Sequence, residues 1–144
     1  MISADSYSTE IVAKTNSEAA FKALTTQIGA WWGQQNHPVT KVGDVFTVSW
    51  GAPWYQFKVN TYEPDQKVVW ECIDANQIIE GLVGVQKEWV GTKMHWVLNP
   101  LNEQEIRIKF RHEGLVPDFI CYDFCTYTWD QFITQHLKPY LEGR

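Results

Sequence analysis

Cys121 and Cys125 stand four positions apart in CYDFC, and His136 follows eleven residues after Cys125, so thiols and an imidazole recur along one short stretch. Such side chains bind metals, form disulfides, or act as nucleophile and base. Residues 118–138 carry helical periodicity, however, and on a helix rising ~1.5 Å per residue His136 lies roughly 16 Å beyond Cys125. The three cannot share a metal within that helix. A disulfide asks for Cβ atoms ~3.5–4.5 Å apart, closer than i,i+4 side chains on a regular helix. What remains is chiefly packing on a buried helical face, which cysteine's preference for the interior favours, then a thiol that touches a ligand or serves redox chemistry, and last a metal ligand. Three cysteines, an odd count, suit reduced thiols, and neither they nor the four histidines show a metal-ligand spacing. We expect no metal and no cofactor.

His112 is the second candidate. It closes the alternating run IRIKFRH, in which Ile106, Ile108, Phe110 and His112 share one side while Arg107, Lys109 and Arg111 take the other. A histidine at the end of an inward register, like His136 within an apolar helical arc, reads either as a core group satisfied by a backbone carbonyl or as a polar handle in an apolar pocket. His37 in QNHPVT and His95, out of phase with Met94 and Trp96, read as solvated. Glu71 should face water, and Glu88, before Trp89, fits either face. HExxH, CxxC pairs, GxSxG and a phosphate-cradling glycine loop are absent.

The elements that must position these residues follow from hydrophobic period. YSTEIVA at 7–13 alternates as a strand, and Thr15 with Glu18 makes a capping box before Ala20, Phe21, Leu24 and Ile28 at helical spacing. One or two short helices then end at WWG; Trp31 and Trp32 read as a packing plug or a recognition motif where those helices meet the sheet's edge. From 42 to 113 the period is two, with strands expected at 44–50, 54–62, 67–73, 86–90, 92–98 and 104–112, joined by GAP, EPDQ and NPLNE as an antiparallel meander. Segment 74–85 has no clear period. Parity points Tyr55, Phe57 and Val59 inward, with Val68, Trp70 and Cys72, and with Met94, Trp96 and Leu98. The cover for that face is the helix after GLVP. Its apolar arc collects Cys121, Tyr122, Cys125, Trp129, Phe132, Ile133, His136, Leu137 and Tyr140, and Pro139 should kink or end it near Lys138.

The whole chain, 1–144, is one domain's length, with no linker or repeat. Its net charge of -5 and scattered Lys and Arg exclude a phosphate-neutralising surface, so no nucleic acid partner is expected. Neither an export signal nor a spanning apolar run opens the sequence, which leads us to expect a cytoplasmic protein without membrane insertion. Aromatics reach 15%, including 8 Trp, enough to fill a core unaided or to line a pocket.

In order and spacing, AAFKALTTQIGAWWG, KEWVGTKMHW, IRIKFRHEGL and CYDFCTYTWDQFITQHLKPYLEG resemble the SRPBCC (START-like, birch-pollen-allergen-like) superfamily, in the branch named for the activator of the heat-shock chaperone ATPase. The resemblance implies an α+β helix-grip fold: a curved antiparallel sheet wrapped around a long C-terminal helix, with two short helices after the first strand and a cavity between sheet and helix. It also implies a protein that holds a small apolar molecule, aromatic, lipid-like or polyketide-like. Tyr55, Phe57, Trp70, Cys72, Trp96, Phe110, Tyr122, Cys125, Trp129 and Ile133 would wall such a cavity, with His112 and His136 as polar contacts. Two alternatives stand beside it: a polyketide cyclase or dehydratase using a pocket histidine as acid/base, and a chaperone-interacting module working through its surface.

Overall fold

The computed structural model describes residues 5–144. Seven strands, β1 (Tyr7–Ala13), β2 (Gln34–Gln35), β3 (Val45–Ser49), β4 (Trp54–Glu63), β5 (Lys67–Asn76), β6 (Lys93–Pro100) and β7 (Ile106–Glu113), form one antiparallel sheet in the order β1-β7-β6-β5-β4-β3-β2. Helix α1 (Ser17–Ala23) and a single 3-10 turn (Ile28–Ala30) follow β1. The chain ends in a long helix: α2 (Tyr122–Phe132), a π-helical turn (Ile133–Leu137) and α3 (Lys138–Leu141) run on without a break.

The inward register holds along every long strand. Phe57 and Val59, Val68, Trp70 and Cys72, Met94, Trp96 and Leu98, and Ile106, Ile108, Phe110 and His112 are all buried. Two register shifts in the β4–β5 ladder, at Gln56/Phe57 and at Val59/Thr61, bend β4 and help the sheet curl around the helix. The outer face carries charge: Arg107 pairs with Glu10 at 3.1 Å, and His95 with Glu113 at 2.7 Å, where the imidazole's hydrogen bond holds the Glu113 carboxyl below its usual range.

Four local expectations are corrected. The cap of α1 is Asn16, whose side chain accepts from the Ala19 N–H at 2.8 Å, one residue after the expected Thr15. Residues 86–90 are a turn, not a strand. Gly84 and Gly91 on either side adopt φ of 82° and 93°, a left-handed backbone that breaks a ladder. Pro139 does not end the helix. The π-turn just before it sets the Lys138 N–H on the Ile133 carbonyl, absorbing the lost hydrogen bond so that the helix continues to Leu141. That extra residue per turn also rotates the helix face, leaving Leu137 buried and His136 and Tyr140 exposed.

Candidate functional site

The middle of the molecule is a closed stack of aromatic rings. Trp70, Trp96, Trp129, Phe57 and Phe110 are all buried to within about two per cent. Phe110 sits 4.4 Å from Trp129 and 4.3 Å from Trp96, ring centre to ring centre. Behind Trp129 lies the fully buried His112, whose polar atoms are all committed. The indole N–H of Trp129 donates to His112 Nδ1 at 3.0 Å, so Nδ1 bears no proton. The proton of the neutral ring is then on Nε2, which meets Thr92 Oγ1 at 2.8 Å, and the Thr92 hydroxyl passes the chain to the Trp89 carbonyl at 2.6 Å. Burial pushes the His112 pKa down to about 3, which keeps the imidazole neutral and this direction of donation fixed.

A second chain of bonds ties the 77–92 connection to the helix. Cys125 Sγ accepts from the Trp89 indole N–H at 3.4 Å and gives its own proton to Gln77 Oε1 at 3.4 Å. The same oxygen accepts from the Tyr55 hydroxyl at 2.6 Å, while Gln77 Nε2 donates to the Val85 carbonyl at 2.9 Å. Contact with the Cys121 thiol, together with burial, holds Cys125 well above the ordinary thiol range. The Glu88 carboxylate accepts from the backbone N–H groups of Ile120 and Cys121, at 2.7 and 3.0 Å, and so caps the start of the helix.

The aromatic stack opens towards the sheet's narrow end. Between the β3–β4 connection and the helix lies a cleft of about 210 Å³. Trp50, Pro53 and Tyr55 form one wall, Phe124, Thr128 and Phe132 the other, and Trp32, Trp89, Cys125 and Trp129 close it off. The rings of Trp32, Trp89 and Trp129 lie within 24° of parallel, with centres 5.0–6.5 Å apart, and Tyr55 stacks on Trp89 at 4.0 Å and 17°. Trp50 stands across them, at 77° to Trp32 and 81° to Tyr55. Gly33 makes that position possible, since a Cβ there would fall 2.6 Å from the Trp50 ring. A larger hollow of about 420 Å³ lies against β1, β6 and β7, but Glu10, His95, Lys109 and Arg111 border it, which suits solvent better than an apolar guest.

Solved structures share this architecture. The solution structure of the Aha1 dimer from Colwellia psychrerythraea matches with a TM-score of 0.75 at 24% identity, over 94% of each chain. DynU16, a putative protein in the dynemicin biosynthetic locus, matches at 0.73 and 15% identity, over 96% of this chain and 47% of that one, so this chain spans about half its length. A protein from Arthrobacter aurescens matches at 0.75 and 14%, over 98% and 88%. The chain has the helix-grip fold that these structures share. No protein-family model matches the sequence, and no curated protein does.

Within this fold the residues expected to wall a cavity divide. Tyr55, Cys125 and Trp129 border the cleft. Phe57, Trp70, Cys72, Trp96, Phe110, His112 and Ile133 are sealed in the core, where they back the cleft without reaching it. Tyr122 is half-buried away from it, and His136 is exposed, its ring 5.3 Å from Phe132. Trp32, Trp50, Trp89, Phe124, Thr128 and the linking Gln77 are residues that strand and helix parity did not find, and Phe132, on the expected apolar arc, was not placed among the walls. The doubled tryptophan signalled one of them: Trp31 is the plug, its N–H on the Ala23 carbonyl at 2.7 Å, and Trp32 faces the cleft. All three cysteines are free and buried. Among the described residues no cluster of three His, Cys, Asp or Glu is arranged to hold a metal, and no helix is long and apolar enough to cross a membrane.

Proposed function

We propose that the protein binds a small, flat, apolar molecule in the cleft between the β3–β4 connection and the C-terminal helix. The observation that carries this reading is the lining: seven of the ten bordering residues are aromatic and none is charged. Desolvated aromatic faces at a solvent-accessible cleft favour an apolar ring over water. The volume of about 210 Å³ is below the ~300–1,000 Å³ of sites for drug-sized ligands, which selects a guest of about two fused rings rather than a lipid chain or an extended polyketide. Acid/base chemistry by a histidine finds little support here. His112 has both ring nitrogens engaged, and His136 does not border the cleft.

Naphthalene tests the reading directly. It should quench tryptophan fluorescence saturably, and Thr128→Trp, which places an indole at the half-buried rim, should weaken that binding at least tenfold. Unaltered affinity in a folded Thr128→Trp variant rules the cleft out. A second reading has its own observation. Val83, 87% exposed, precedes Gly84, against which the exposed Ile120 packs, and Phe124 lies one helical turn on. This apolar ground beside the cleft suits contact with a protein such as a chaperone, and Ile120→Lys should abolish that contact while leaving naphthalene binding intact.

A further inference from the structure

The polar atoms around the cleft are nearly all spoken for. The Tyr55 hydroxyl donates to Gln77 at 2.6 Å, the Trp50 N–H to the Trp32 carbonyl at 3.1 Å, and the Thr128 hydroxyl to the Cys125 carbonyl at 3.0 Å. Trp89 and Trp129 give their N–H groups to Cys125 and His112. Trp32 differs from these. Its side chain is 7% exposed and borders the cleft, yet its ring N–H donates to none of the described residues. Trp70 and Trp96 also have unpartnered ring nitrogens, but theirs are sealed from solvent; that of Trp32 is not among the sealed ones.

An indole N–H that reaches solvent at the edge of an apolar cleft, with no protein acceptor, has only a guest or a water to turn to. No charged side chain borders the cleft, so an anionic acceptor would be desolvated there without a counter-charge. We infer that the guest is a flat aromatic molecule bearing one neutral hydrogen-bond acceptor, a ring nitrogen, carbonyl or ether oxygen, seated against the parallel rings with its acceptor on Trp32 Nε1. This inference rests on the cleft being the binding site. It adds polarity and orientation to that reading: the acceptor lies at the Trp32 side, and a donor on the guest would have only the lone pairs of the Tyr55 and Thr128 hydroxyls to turn to among the cleft's side chains.

Quinoline and naphthalene have nearly the same shape and differ by one acceptor, which makes them the probes. Trp32→Phe should weaken quinoline binding about three- to tenfold more than it weakens naphthalene binding, the loss of one neutral hydrogen bond. In the wild-type protein the Trp32 indole N–H resonance should shift downfield with quinoline and not with naphthalene, a readout that stands even if the Phe variant fails to fold. Equal losses for the two probes, or equal responses of that resonance, overturn the inference and leave the cleft reading in place. Failure of both probes to bind the wild type overturns the cleft reading itself.

Discussion

The closed core and the open cleft are built from the same side chains, and they differ in what stands opposite them. In the core, β4, β5, β6 and β7 supply adjacent inward rows of buried rings, so Trp96 and Phe110 meet Trp129 directly while Phe57 and Trp70 reach it through Trp32. At the cleft the sheet is running out. β3 has five residues and β2 only two, and the wall passes to a turn carrying Trp50 and Pro53. Rings there are held by single bonds and one glycine rather than by neighbouring strands. Aromatic richness therefore fills the space between sheet and helix where the resemblance implied a cavity, and the open cleft lies at the sheet's narrow end.

Breaking the closed side should cost most. His112→Leu strands the Trp129 N–H in the interior and removes the donor to the Thr92 oxygen, and we expect a loss of ~2–5 kcal/mol in urea unfolding; a loss under ~1 kcal/mol would mean the buried chain of bonds is dispensable. The same histidine sets a pH dependence. Its folded pKa of about 3 is below the unfolded value near 6.5, so its contribution is fully present above pH ~6.5 and is lost as pH falls from there towards 3. The slope should reach ~1.4 kcal/mol per pH unit, with the carboxylates adding to it only at lower pH. Nitrogen-15 spectra at pH 5 should show His112 as the single Nε2–H tautomer; a protonated ring at that pH contradicts the account.

The open side should yield with smaller cost to the fold. Gly33→Ala pushes a methyl into Trp50 and Val48, which we expect to destabilise by ~1–3 kcal/mol and to weaken naphthalene binding about tenfold as Trp50 shifts. Destabilisation with unchanged affinity would detach Trp50 from the site. Thiol titration offers a gentler contrast: all three cysteines should react in denaturant and all slowly in the native protein, with Cys72, which burial pushes up to about 12, and Cys125, held well above the ordinary thiol range, the slowest. His136→Leu, at an exposed position outside both regions, should change stability by less than ~0.5 kcal/mol and affinity not at all.

Much of this was legible in sequence. Alternation placed Ile106, Ile108, Phe110 and His112 inward correctly because a strand's period of two leaves no freedom once one face is dry. The helix arc was right through Trp129 and Ile133 and failed at His136, since a π-turn changes the period and Pro139 marked only that something irregular was near. The cleft itself was mostly hidden. Its walls come from a turn, a rim threonine and the outer flank of the helix, and Gln77 and Trp89 lie in or beyond a stretch whose geometry depends on glycines rather than on hydrophobic pattern. Periodicity reports which residues leave water, not where two elements fail to meet.

The central claim is that the molecule's one apolar guest site among the described residues is this cleft and not the core. Crystals soaked in 1-bromonaphthalene and measured at the bromine absorption edge test it most directly. We expect one anomalous peak between Trp50, Tyr55 and Phe132, with Trp70, Trp96 and Phe110 unmoved. A peak inside the core, in the hollow beside His95 and Arg111, or nowhere at saturating ligand would contradict it.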